Sequence, residues 1–332
     1  MTVRWIWLLP LLLSACSTTG PVLLDEYQHL VWPAAPEPAR IEFVTLFNKA
    51  DDLGIKKSFF SKIIEFFAGA EDRRMSRPYA IAANSEKIIV ADPDASALHL
   101  FDLKRQKYHK LKRAGKLNFE TPIGVAIGND RIFVADSKLN KVFVLNDEME
   151  LLTVLQGFQR PTGLAVDTVR KQLYVADTLA HHIKVFDHSG NFQFIIGGHG
   201  EKDAQFNFPS HLAFRGDRLY VNDTMNFRIQ ILQYDGHHLK TFGKHGDASG
   251  AFAQSKGLAV DSDGHIYVAD AMAGRVQIFD QNGVFLLAFG SFGNTAGSFQ
   301  LPAGLTFWQD KLYVADSFNG RVQVFHYLAM EN

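Results

Sequence analysis

Six aspartates recur along this 332-residue chain: Asp92, Asp136, Asp177, Asp223, Asp270 and Asp316. They are separated by 44, 41, 46, 47 and 46 residues, and each ends a Val-Ala-Asp tripeptide or a one-residue variant of it. Carboxylates in number suggest acid–base work, but chemistry needs one asymmetric site, and six equal positions do not make one. A cation or imidazole follows five positions later in most copies: Lys141, His182, Arg228, Arg275 and Arg321, with Ala97 in the first. A carboxylate that accepts backbone N–H bonds and pairs with such a group pins the end of a strand. The recurring residues therefore read as scaffold, and function is expected where the copies differ. His211 is the sharpest difference, standing where the other copies have Ala80, Gly124, Gly163, Gly257 and Gly304.

A period of 41 to 47 residues means one supersecondary unit repeated. Each copy opens on Pro-x-Gly or a variant, as in Pro122-Ile123-Gly124 and Pro302-Ala303-Gly304. A short apolar strand follows, then a tight turn such as Asn129-Asp130, Gly216-Asp217 or Asp263-Gly264. The second strand ends in the aspartate, and a third alternates, as in Arg321-Val322-Gln323-Val324-Phe325. A turn such as Asp280-Gln281-Asn282-Gly283 leads to a fourth. This predicts an all-β, six-bladed β-propeller of four-stranded blades over residues 76–332. The sixth copy stops after its third strand, near Tyr327, while Ile41 to Phe47 is an orphan strand before the first copy. That strand is expected to complete the last blade and close the ring, leaving no open seam. A short amphipathic helix is expected over 58–68, within the closing segment 41–75, with Phe59, Ile63 and Phe67 on one stripe.

Pro-x-Gly-[Leu/Val]-Ala-Val, Tyr-Val-Ala-Asp and Asn-x-Arg-[Ile/Val]-Gln-[Val/Ile]-Phe resemble NHL repeats over about residues 76–328. The stretches Arg40-Ile41-Glu42-Phe43-Val44 and Asp52-Leu53-Gly54-Ile55-Lys56-Lys57 are similar to the leader of bacterial six-bladed NHL lipoproteins, a group that implies no particular activity. In NHL-type peptide-amidating lyases, histidines at the His211 position of several blades bind zinc. This chain matches in one blade only, and a lone imidazole cannot supply the three ligands of a catalytic zinc. The carboxylate set of gluconolactonase-like propellers is not recognisable here. No P-loop, nucleophile elbow or metalloprotease helix motif occurs. No catalytic residue, metal or cofactor is therefore expected, although there are 13 histidines.

Residues 1–15 read as a signal peptide: Arg4 precedes an apolar run, Trp5 to Leu13, that is too short to span a bilayer. Leu13-Ser14-Ala15-Cys16 resembles a bacterial lipobox, which implies acylation of Cys16 as the first mature residue. Cys16 is the only cysteine, so no internal disulfide competes for it. Ser17 after it is similar to outer-membrane routing in Gram-negative cells. Residues 16–40 then form a lipidated tether, extended by Pro33, Pro36 and Pro38. A net charge of -1 argues against a nucleic-acid partner. Residues 104–116 hold seven cations and no acid, as an aggregation-protected edge strand does, or a phosphate-binding rim. Arg215-Gly216-Asp217 reads as a hairpin turn. The expected role is that of a lipid-anchored envelope binding or scaffold protein that meets a protein or glycan partner on its loop-rich face. His211 would sit at the centre of that face with Tyr79, and His182, Asn226, Phe227 and Phe318 around it. The alternative is a lyase or hydrolase with its site at the channel mouth.

Overall fold

The computed structural model describes residues 30–55 and 73–329. Five four-stranded antiparallel sheets are built from consecutive strands, and one five-stranded sheet joins the first two strands to the last three. Blade four shows the plan: Pro209–Arg215, Arg218–Asp223, Arg228–Gln233 and His238–Phe242, paired in that order. The expected Arg-Gly-Asp turn joins its first two strands, with Gly216 at φ 63°. The first strand of each blade lines the axis and the fourth lies on the rim. Turns after the aspartates and the blade-to-blade connections lie on one face, here the loop face. The first-to-second-strand hairpins and third-to-fourth-strand turns lie on the other, the hairpin face.

Six apolar clusters hold the ring, one between each pair of neighbouring blades. The β-branched and aromatic runs that make the strands also fill these seams, because each sheet buries both faces. The inner strands approach closely where Pro-x-Gly begins them. A methyl on Gly257 would lie 2.1 Å from the carbonyl oxygen of Ala303 in the next blade, so a side chain is excluded there.

Ile41–Phe47 closes the ring as expected, pairing antiparallel with Arg321–Tyr327 as the fourth strand of blade six. Phe47 is fully buried and meets Phe101 of blade one edge-on at 5.3 Å. The Ser317 hydroxyl donates to the Pro78 carbonyl across the same seam. The tether is corrected over its last residues. Val31–Trp32 pairs with the closing strand as a fifth strand, and the Arg40 amide donates to the Trp32 carbonyl at 2.7 Å. Trp32 packs on Phe289 and Phe325 at 5.6 and 5.9 Å. Burial of its indole outweighs the polyproline preference of the three nearby prolines. The 58–68 helix lies outside the described residues.

Candidate functional site

Tyr79 and His211 meet on the axis. They come from blades one and four, which are opposite in a ring of six, and their rings stack with centroids 5.8 Å apart. Lys256 of blade five reaches the same point, donating to the Tyr79 hydroxyl at 3.2 Å. Together these three side chains close the channel at its loop-face end. His211 Nδ1 lies 3.0 Å from Ser210 Oγ, which is 2.6 Å from Thr224 Oγ1. Burial, and then the Lys256 charge, push the His211 pKa down to about 3. The imidazole is thus neutral at ordinary pH and a weak base, poorly suited to take a proton in catalysis.

Behind this plug the channel widens to a cavity of about 610 Å³. It runs from Gly124, Gly163, His211 and Gly304 to hairpin residues Ser85, Thr168 and Gly216. The room is therefore on the hairpin side of His211 and not at the loop-face mouth where the sequence placed it. Among the described residues no group of three or more His, Cys, Asp or Glu is arranged to hold a metal ion.

The aspartates behave as pins. Asp316 accepts the Gln300 amide at 2.8 Å and pairs with Arg321 at 2.7 Å, and Asp223 pairs with Arg228 at 2.8 Å. A glutamine seven positions after the aspartate joins in: Gln230 and Gln323 both donate to the carboxylate, at 3.2 and 3.0 Å. Blade one, with Ala97, uses His99 instead, its Nε2 at 3.2 Å from Asp92. Burial raises the Asp92 pKa, but the bonds from His99 and the Ser76 and Arg77 amides outweigh it and lower the value overall.

These pins absorb one candidate contact residue, Asn226, and lie beside another, His182. His182 is half-buried with Nε2 3.8 Å from Asp177, and burial lowers its pKa. The Asn226 amide donates to Gly200 and Asp223 at 3.0 and 2.9 Å. Phe227, at φ 52°, is half-buried against His245, with centroids 4.4 Å apart. His181 is the matching residue of blade three, meeting His199 edge-on at 4.5 Å and accepting the Phe208 amide at 3.2 Å. Phe318 remains, and it is exposed on the loop face.

Phe318 is one of a set that sequence reasoning missed. The residue two after the aspartate tips each loop-face turn. In blades three to six it is Leu179, Met225, Met272 and Phe318, which are 43, 52, 62 and 59% exposed. In blade two it is Lys138, paired with Glu120 at 2.8 Å, and in blade one Asp94, paired with Arg77 at 2.6 Å. Phe292, between blades five and six, is exposed beside this arc. The basic stretch falls in two pieces. Lys107–Leu111 is the outer strand of blade one, and a small hairpin, Arg113–Ala114 with Leu117–Asn118, follows on the loop face. Lys104 is paired with Glu86, and Arg105 with Glu148.

Residues 158–186 and 299–325 match the NHL repeat, and 202–289 match the SMP-30/gluconolactonase/LRE-like region. The chain is an NHL-repeat six-bladed β-propeller. A 61-residue stretch of it is 39% identical to the Protein brain tumor of Drosophila melanogaster, a match that spans 18% of this chain and 6% of that protein. Solved structures share the fold at low identity. A virginiamycin B lyase from Staphylococcus aureus, inactivated and holding quinupristin, has a TM-score of 0.57 at 11% identity, over 78% of this chain and 83% of the other. An auxiliary nutrient binding protein from Bacteroides thetaiotaomicron has 0.60 at 14% identity, over 76% of this NHL propeller and 69% of its own chain. Propellers of this architecture thus include both lyases and binding proteins.

Proposed function

We propose that this NHL propeller is a lipid-anchored envelope binding protein that works by surface contact through its loop face. The observation that carries this reading is the arc of four apolar tips at one repeat position on four consecutive blades. Scattered apolar residues on a surface need no explanation, but a contiguous set rimmed by charge marks an interaction site. The contact chemistry is apolar and suits a protein or lipid surface better than the hydroxyls of a glycan. The anchor rests on the lipobox-like Leu13-Ser14-Ala15-Cys16.

The enzyme reading draws on the axial cavity and on the lyases that share the fold. It asks His211 to act where burial has left it a poor base. Two variants separate the readings: Met225→Asp with Met272→Asp and Phe318→Asp, and His211→Ala. After chemical cross-linking of cell envelopes, we expect the triple variant to lose at least about tenfold of the material held by the wild type, the scale of a lost contact cluster. His211→Ala is expected to keep it. The opposite pattern would sink the surface reading and favour the channel.

A further inference from the structure

We propose that the loop face docks on an anionic lipid bilayer, its apolar tips entering the headgroup region; this deepens the surface-contact reading above and uses the same anchor. Four observations support it. Leu179, Met225, Met272 and Phe318 occupy one position of a ring repeat, so they stand at one height on the face. A planar array of small apolar tips matches a flat surface, and shallow insertion of such side chains is how interfacial proteins hold a membrane.

The second observation is charge. Lys112, Arg113 and Lys116, on and beside the small hairpin after blade one, are exposed on this face and carry no ion pair among the described residues. Basic side chains beside an apolar patch attract the negative surface of a bilayer. Third, several carboxylates of the same face are paired, Asp51 with Arg73 at 3.6 Å among them. Asp94 and Glu120 are paired with Arg77 and Lys138. Exposed Asp52, Glu201 and Asp247 carry no ion pair among the described residues and oppose docking.

The fourth observation is the path of the chain. The closing strand runs from the hairpin face at Ile41 to the loop face at Phe47, and Val31–Trp32 runs antiparallel to it. Followed backwards from Trp32 to Leu30, the described chain therefore runs toward the loop face. Cys16 lies fourteen residues before Leu30. That segment reaches at most about 50 Å, short enough to keep the face near the bilayer in which the acyl chains sit.

The test uses the full-length acylated protein in vesicles, with an environment-sensitive fluorescent residue at position 272. The control is position 169, since Val169 is 82% exposed on the hairpin face. On vesicles containing phosphatidylglycerol we expect a blue shift at 272 and none at 169, with a smaller shift on phosphatidylcholine alone. Lys112→Gln, Arg113→Gln and Lys116→Gln are each expected to lower the docked-to-undocked ratio by roughly fivefold. Equal, water-like spectra at both positions in protein that survives an alkaline wash would overturn docking and leave the anchor intact. A shift at 272 in protein that the wash removes would support docking and overturn the anchor. A shift that appears only when envelope proteins are added assigns the face to a protein and overturns the lipid proposal.

Discussion

At the scale of single residues, His211 and the turn tips carry the asymmetry of this propeller. His211 has a pKa of about 3, held there first by burial and then by Lys256. A base whose folded value is depressed binds fewer protons folded than unfolded. Its stabilising effect is intact above its ordinary value of about 6.5 and is lost as pH falls from there toward about 3. Melting temperatures followed from about pH 7 to about pH 4 should fall further for the wild type than for His211→Gln. Parallel curves would contradict a half-buried, neutral imidazole. His211 was legible in the sequence because it breaks a repeat. Lys256 was not, because the middle position of Pro-x-Gly varies freely and nothing local turns it to the axis. Leu179, Met225 and Met272 were equally silent: each alone is an ordinary exposed apolar residue, and only the ring lines them up. His182 and Asn226 stood out by type, yet the repeat already employs them beside its aspartates.

At the scale of elements, the closing strand decides whether there is a ring. Phe47 belongs to blade six by pairing and to the seam with blade one by packing. Phe47→Ala should cost about 3–5 kcal/mol by cavity formation, read as a lower urea midpoint with an unchanged slope. A loss below about 1 kcal/mol would mean that the strand contributes little to closure. Counting strands was enough to foresee this element, since a copy lacking its fourth strand and a spare strand upstream have one economical solution. The preceding turn of chain was not foreseeable in the same way. Two residues, Val31 and Trp32, are too few to show a strand period, and the three prolines around them argue for extension. What draws them in is tertiary: the free edge of the closing strand, which binds Leu30 through the Phe43 amide at 2.9 Å, and the aromatic wall of Phe289 and Phe325. An edge covered in this way is also protected from pairing with another chain.

At the scale of the whole molecule, the ring is polar. One face carries the apolar arc and the basic hairpin, and Trp32 to Leu30 runs back toward it. The other carries the hairpins around the open end of the axial cavity. Docked loop face down, the propeller would hold that cavity toward the aqueous compartment, where a soluble component could reach it. The blade count and closure were readable from spacing alone, whereas this polarity emerges only when turns distant in sequence are set side by side. Hydrogen–deuterium exchange of the full-length protein, mixed with membranes and in their absence, tests the central claim most directly. The surface reading predicts membrane-dependent protection in the turns at 178–181, 224–227, 271–274 and 317–320, and none in the hairpins at 167–171 and 215–218. Protection confined to the hairpins around the cavity, or equal exchange in both states throughout the loop face, would contradict it.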